Sequence, residues 1–156
     1  MVAFEWPALK ADGGFDDPAS ANYYGSEHPE IKVGTLLAIP SRINLDTVQF
    51  ETGEPAMIIA KALQNYGAYV VDNTAWDAFA LITEFGPEGR VIDEFKMHFG
   101  FEFEGTGTAW HRDMLLLINL LYKVSENRPD NIGGGPTFDF KNRLAPVAPA
   151  LITNNN

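Results

Sequence analysis

The chain has 156 residues, with 21 acidic against 11 basic side chains and a formal net charge of −10. This length is enough for one domain with its own hydrophobic core, and the negative charge disfavours nucleic acid and anionic membranes as partners. Cysteine is absent, which excludes disulfides, thiolate catalysis and zinc sites built on sulfur.

Irregular sequence opens the chain. Residues 1–30 contain turn-forming pairs such as Asp12-Gly13 and His28-Pro29, which predict an extended arm anchored by aromatic side chains. Its first residues lack a basic region followed by a long apolar run, so we expect no signal peptide in this sequence. The short apolar run within residues 31–40 is bounded by breakers and predicts a buried strand.

Start and stop signals of a helix follow the first predicted strand. A start at Thr52 or Glu54 and a stop at Gly67 predict a helix that buries Ile59, Leu63 and Tyr66. A strand over residues 68–71 comes directly after the glycine. Residues 78–84 alternate apolar side chains along two faces and predict a second strand.

The second half of the chain predicts two more helices. Residues 91–99 place Ile92, Phe95 and Phe99 on one face, and residues 101–104 alternate as a strand would. Thr108 is a typical N-cap for a helix that extends to about residue 121 and carries Trp110, Met114, Leu117 and Leu121 inward.

These elements predict an α+β fold with a small, mainly antiparallel sheet, about three helices and long irregular arms at both ends. We expect one domain overall, with an N-terminal arm over residues 1–30, a globular core over 31–127 and a Gly/Pro-rich C-terminal arm over 128–156. Arms of this length are typical of a fragment of a longer protein, or of a module that wraps a partner.

The segment from Ala62 to Thr74, ALQNYGAYVVDNT, resembles a signature near the C-terminus of large, uncharacterised secreted bacterial proteins, many of them from polymer-degrading bacteria. The resemblance extends to the segment GTLLAIP at residues 34–40 and to NIGGG at residues 131–135. It implies an extracellular location and supplies no catalytic residues.

The sequence Trp110-His111-Arg112-Asp113 brings an imidazole and a carboxylate to the first turn of one helix. His111 is therefore a candidate general base and Asp113 a candidate acidic partner. Because successive helical residues point about 100° apart, the two side chains do not face each other. The alternative is a surface turn in which the helix dipole favours Asp113.

A second set of candidate catalytic groups follows the predicted strands. If residues 68–71 and 78–84 pair as a hairpin, two of the carboxylates of Asp72, Asp77 and Glu84 could flank one cleft, as the acid and base of a glycosidase do. The alternative for Asp72-Asn73 is a turn stabilised by the aspartate side chain.

Aromatic side chains are the candidate ligand-binding residues. Trp76, Trp110, Tyr23 and Tyr24 lie in or beside predicted loops, where exposed rings could stack on sugars, or they could instead be buried. Asp12, Asp16 and Asp17 could supply oxygen ligands to calcium, although their spacing does not match an EF-hand loop and favours a solvated turn. We predict no other cofactor and no metal site.

From these features we expect a secreted bacterial module that engages polysaccharide, by binding it or by cleaving it with acidic residues. Whether the chain is an enzyme stays open. The alternative is a structural assembly protein whose terminal arms dock on neighbouring subunits or on a partner domain.

Overall fold

The computed structural model describes residues 4–11, 13, 14, 17, 19, 20, 30–72, 74, 78–83, 85–87, 89–103 and 105–134. Three helices and five short strands, paired antiparallel, give the described residues the expected α+β class. They fall into two compact units. The first comprises described residues within 1–43, 62–73 and from 121 onward, and the second those within 44–61 and 74–120.

A three-stranded sheet forms the centre of the first unit. Its middle strand β1 (Leu36–Ala38) pairs with β2 (Ala68–Tyr69) on one side and with β5 (Tyr122–Lys123) on the other. The β1 residues Leu36 and Ala38 and the following Ile39 are buried. Because β1 is paired along both edges, the backbone groups of this apolar segment can be buried with hydrogen-bond partners.

A β-bulge precedes β1 and depends on Gly34. The Gly34 N–H donates to the Val70 carbonyl (2.7 Å) while the Val70 N–H donates to the Thr35 carbonyl (2.9 Å), so that two residues of one strand oppose one of the other. Gly34 has φ +93°, and a Cβ atom there would overlap the Glu5 carbonyl oxygen. Glycine is therefore required for the close approach of the N-terminal segment.

That N-terminal segment packs on the first unit itself. Phe4 forms a parallel bridge with Val33, and the Glu5 N–H donates to the Val33 carbonyl at 2.9 Å. The Glu5 carboxylate accepts the hydroxyl proton of the buried Thr35 (2.7 Å) and the ammonium of Lys123 (3.0 Å). The beginning of the predicted arm is thus bound in cis.

Helix α1 (Glu54–Asn65) starts in the second unit and ends in the first. Near its C-terminal end the Gln64 amide donates to the carbonyls of Pro40 (3.1 Å) and Ile43 (2.9 Å). The helix ends at Asn65, and the chain turns at Gly67, whose φ is +74° and where a Cβ would lie 2.6 Å from the Leu37 carbonyl oxygen. Only glycine allows this sharp transition into β2.

The second unit contains the β3–β4 hairpin and two helices. Strand β3 (Phe85–Gly86) pairs with β4 (Gly89–Arg90), and α2 (Val91–Phe99) and α3 (Ala109–Asn119) follow. Thr108 caps α3, because its hydroxyl oxygen accepts the His111 N–H at 3.1 Å. The N-cap and the helix predicted to follow it are confirmed, as are α1 and the bounds of α2.

Other predicted elements differ from the structure. Described residues 78–83 form no strand, and the apolar alternation of residues 101–103 also lacks a strand partner. A strand requires a second backbone, and neither segment pairs with one among the described residues. Tyr66 is exposed, since α1 buries Pro55, Ala56 and Ala60 instead. The short strand β5 was not predicted.

Candidate functional site

Asp113 is a buried carboxylate that accepts three hydrogen bonds. Its side chain is 2% exposed. One oxygen accepts the Glu51 N–H (2.9 Å), and the other accepts the Thr52 N–H (2.8 Å) and hydroxyl (2.6 Å). Helix α3 thereby holds the segment that leads into α1. This geometry gives the Asp113 carboxylate a structural role and leaves it no exposed face for a substrate.

The two residues before Asp113 contact different partners. Arg112 donates from Nε and Nη2 to both carboxylate oxygens of Glu51, each at 2.7 Å. The hydrogen bond to Arg112 lowers the pKa of Glu51, which is solvent-exposed. The His111 ring stacks on Phe79, with 6.1 Å between ring centroids and 9° between planes. His111 and Asp113 therefore form no catalytic pair, as their helical positions predict.

An aromatic cluster surrounds Trp110, which is 3% exposed. Its ring stacks on Phe103 with centroids 5.0 Å apart, and it meets Phe95 edge-on at 5.1 Å. Phe101 also contacts both Phe95 and Trp110. Trp110 is thus a core residue, and the proposed role of its ring in stacking on a sugar is corrected, because both ring faces are covered. The alternation of residues 101–103 reflects this packing.

The remaining predicted site residues are not brought together by the described structure. Asp72 is exposed and follows β2, which pairs with β1 and not with residues 78–83. The hairpin on which the carboxylate pair depended is therefore wrong. Outside the described residues lie Asp77, Glu84, Trp76, Tyr23, Tyr24, Asp12 and Asp16. Asp17 accepts the Ala19 N–H at 2.9 Å in a turn.

Neither a metal centre nor an orphaned polar group marks a ligand site in the described part of the chain. No group of three or more His, Asp or Glu side chains there could hold a metal ion. Every buried side-chain nitrogen or oxygen of those residues has a hydrogen-bond partner. The buried polar side chains of the described residues are consequently satisfied within the fold.

Apolar exposure is the feature of the second unit that folding leaves unexplained. Helix α3 buries Trp110, Asp113, Met114 and Leu117 along one stripe, at the i, i+3, i+4 and i+7 spacing of an amphipathic helix. Outside this stripe lie Leu115, Leu116 and Ile118, each between 36% and 41% exposed. We call these three residues the outer face of α3.

Further exposed apolar residues belong to the same unit. Ile82 is 81% exposed and Phe85 is 80% exposed, and Ile82 belongs to the segment whose Phe79 stacks on His111 of α3. Scattered single apolar residues are normal on protein surfaces, whereas several together mark an interaction surface. The outer face of α3 is therefore the candidate functional site.

A sequence signal for this face exists. The five consecutive apolar residues 114–118 place large side chains on every side of a helix, and a helix that is apolar all round is normally covered on all sides. The run is far shorter than the roughly 20 apolar residues that span a bilayer. Within the described residues, no helix has the length and apolar character needed to cross a bilayer.

Exposed tyrosines distinguish the surface of the first unit. Tyr66, Tyr69 and Tyr122 all present part of their rings to solvent, and the Arg42 guanidinium lies 5.1 Å from the centroid of the Tyr122 ring. Tyr122 and Tyr69 flank β1, opposite Ala38 and Leu36 respectively. These rings were not among the predicted ligand-binding residues.

Comparison with protein-family models, with curated proteins and with solved structures finds no match for this sequence. We therefore infer function from the described residues alone.

Proposed function

We propose that this chain is an assembly component whose second unit docks on another protein through the outer face of α3. The observation that carries the proposal is a helix whose apolar residues extend beyond the stripe that its own unit buries, so that Leu115, Leu116 and Ile118 are partly exposed. Apolar surface left in water has an unfavourable free energy, so a partner that covers these side chains stabilises the chain.

The free energy available from covering this face is substantial. Full burial of one Leu or Ile side chain contributes about 1.5–3 kcal/mol, so covering the exposed parts of Leu115, Leu116 and Ile118 contributes roughly 3 kcal/mol in total. Ile82 and Phe85, which are largely exposed, would add more if the partner reaches them. This gain is of the size that a small hot spot supplies in protein association.

The docking site differs from the one expected from sequence. We expected the terminal arms to dock on neighbours, but Phe4 and Glu5 bind the first unit of the same chain. Residues 135–156 of the C-terminal arm lie outside the described residues. The outer face of α3 therefore replaces the start of the N-terminal arm as the proposed contact.

The double variant Leu115→Ser/Ile118→Ser tests this proposal. We expect it to bind less of a fluorescent apolar dye than the unchanged chain and to lose less stability than Leu117→Ala. Leu117 is buried, and such a truncation costs about 2–5 kcal/mol. Dye fluorescence and urea unfolding followed by circular dichroism measure the two effects. If the double variant is as unstable as Leu117→Ala, the face belongs to the folded core and the proposal fails.

A second candidate function is polysaccharide binding by an extracellular module, and the exposed tyrosines of the first unit favour it. Partly exposed rings such as Tyr66, Tyr69 and Tyr122 can stack on sugar faces. Affinity electrophoresis in gels containing a soluble neutral glucan or a glucosamine polymer tests this function. We expect retardation that is lost in Tyr66→Ala/Tyr122→Ala and kept in the control Phe85→Ala. Retardation that survives the tyrosine substitutions would exclude this platform.

A further inference from the structure

We infer that the partner of the outer face of α3 is a cationic protein surface, with apolar side chains flanked by Lys or Arg. This inference rests on the proposed function and names the partner's chemistry. Its first support is the distribution of charge. Residues 44–61 and 74–120, which make up the second unit, contain eleven acidic and four Lys or Arg residues, a formal net charge of −7 out of −10 for the chain.

Most basic residues of the second unit are already neutralised by neighbours. Arg112 pairs with Glu51 at 2.7 Å, Lys96 pairs with Glu102, and Arg90 lies 4.0 Å from Asp93. Lys61 is the fourth basic residue, and it forms no ion pair with another described residue. Internal pairs therefore cancel three carboxylates and leave the larger part of the negative charge uncompensated.

Of the four second-unit carboxylates that the structure describes outside ion pairs, Asp113 is buried and the other three are exposed. Asp46, Glu54 and Glu94 lie at the surface of the second unit and form no ion pair with another described residue. An excess of charge of one sign on a unit raises the local concentration of partners of the opposite sign and speeds their association. The outer face of α3 supplies the apolar contact area, and the carboxylates favour a positively charged partner over a neutral or negative one.

The same charges argue against the other occupants of the face. A second copy would bring two units of −7 together, and exposed like charges within a Debye length of about 8–10 Å repel each other. Anionic lipid and nucleic acid are repelled in the same way. A basic amphipathic helix satisfies both requirements, since α3 is about 16 Å long and matches three turns of a partner helix.

Three fluorescein-labelled 18-residue amphipathic peptides test the inference. They share one leucine face and differ only in carrying Lys, Gln or Glu on the flanks. Fluorescence anisotropy with the full chain measures their affinities at low and moderate salt. We expect the Lys peptide to bind at least about tenfold more tightly than the Gln peptide, and the Glu peptide most weakly. The advantage of Lys over Gln shrinks as salt screens the charges.

Two variants of the full chain separate the apolar from the electrostatic contribution. Leu115→Ser/Ile118→Ser should weaken all bound peptides about tenfold or more, whereas Asp46→Asn/Glu54→Gln/Glu94→Gln should weaken the Lys peptide alone. Circular dichroism verifies that both variants fold. The control Lys61→Gln makes the chain more negative by one unit, whereas the triple variant makes it less negative. The control should therefore leave the affinity for the Lys peptide unchanged or raise it slightly.

The outcomes distinguish the two levels of the proposal. Equal affinity for the three peptides, with loss in Leu115→Ser/Ile118→Ser, keeps the docking function and overturns the cationic partner. Binding of the Lys peptide that is unaffected by Leu115→Ser/Ile118→Ser overturns the docking function itself, because contact is then purely electrostatic. Concentration-dependent dimerisation of the unchanged chain, abolished by Leu115→Ser/Ile118→Ser, would make a second copy the occupant and overturn the inference.

Discussion

Asp113 and Thr52, which are 61 residues apart, are joined by two hydrogen bonds to one carboxylate oxygen. The Thr52 N–H donates at 2.8 Å and its hydroxyl at 2.6 Å. The pair fixes the segment before α1 on α3, and it also accounts for the acidic residue in an otherwise apolar stripe. A buried carboxylate is tolerated when both of its oxygens accept hydrogen bonds in this way.

Substitution Asp113→Ala should destabilise the chain by about 2–4 kcal/mol, because it leaves two backbone N–H groups and a hydroxyl without their acceptor. Asp113→Asn should also be destabilising, since its amide NH₂ group would face donors. Urea unfolding followed by circular dichroism measures the change. The exposed control Asp93→Asn should cost less than about 0.5 kcal/mol. Equal stability of Asp113→Asn and the control would exclude the structural role.

The Glu51–Arg112 pair predicts acid-dependent stability. The Arg112 hydrogen bond lowers the pKa of Glu51 below its ordinary value of 4.5, so the pair contributes stability above pH 4.5 that is lost as pH falls through the folded-state pKa. Arg112→Gln should return the pKa of Glu51 to its ordinary range and remove this contribution. Because the pair is exposed, the effect is modest and salt-sensitive.

Carboxyl carbon NMR titration of Glu51 measures the change directly. The control Lys61→Gln alters the net charge equally and should leave the titration of Glu51 in place. An unchanged Glu51 titration in Arg112→Gln would contradict the prediction. The difference in unfolding midpoint between the chain and Arg112→Gln should shrink as pH falls through the folded-state pKa of Glu51. A remainder should persist, because Arg112 Nη1 also donates to the Gly107 carbonyl at 2.7 Å at every pH.

Local signals in the sequence predicted the helices well and the pairing of strands poorly. The start of α3 at Thr108 depends on capping, and the helix over 91–99 depends on the spacing of its apolar residues. Both signals lie within a few residues of each other and can be recognised from the sequence. The pairing of β1 depends on contacts between distant segments, which the local sequence pattern does not contain. The pattern of residues 78–83 therefore predicted a strand, although these residues have no strand partner. β5 is two residues long and exposed, and no period is readable over that length.

The candidate site was predicted only in part for a related reason. Spacing along α3 separates His111 from Asp113, but it does not reveal that Glu51 and Thr52 supply the partners of the carboxylate. Burial of Trp110 was one of two readings of the sequence, and the choice required the positions of Phe95 and Phe103. Exposure of an apolar face is a property of the folded surface and is visible only in three dimensions.

The last prediction concerns the N-terminal segment and the bulge at Gly34. In Gly34→Ala the added Cβ would overlap the Glu5 carbonyl oxygen, and alanine disfavours the left-handed φ of +93°. We expect a loss of stability of about 2–4 kcal/mol. Gly105→Ala is the matched control, because nothing lies within 4 Å of its added Cβ, and it should cost less than about 1 kcal/mol.

The same variant tests whether the segment is bound in cis. If contacts of Phe4 and Glu5 with the first unit hold it, Gly34→Ala releases it, and trypsin should cleave after Lys10 faster than in Gly105→Ala while light scattering shows an unchanged mass. A drop in mass together with faster cleavage would mean that the segment binds a neighbouring molecule. If Gly34→Ala changes neither the cleavage rate nor the stability, then neither the Phe4 nor the Glu5 contact holds the N-terminal segment. A strained bulge would otherwise disturb the segment that packs against it.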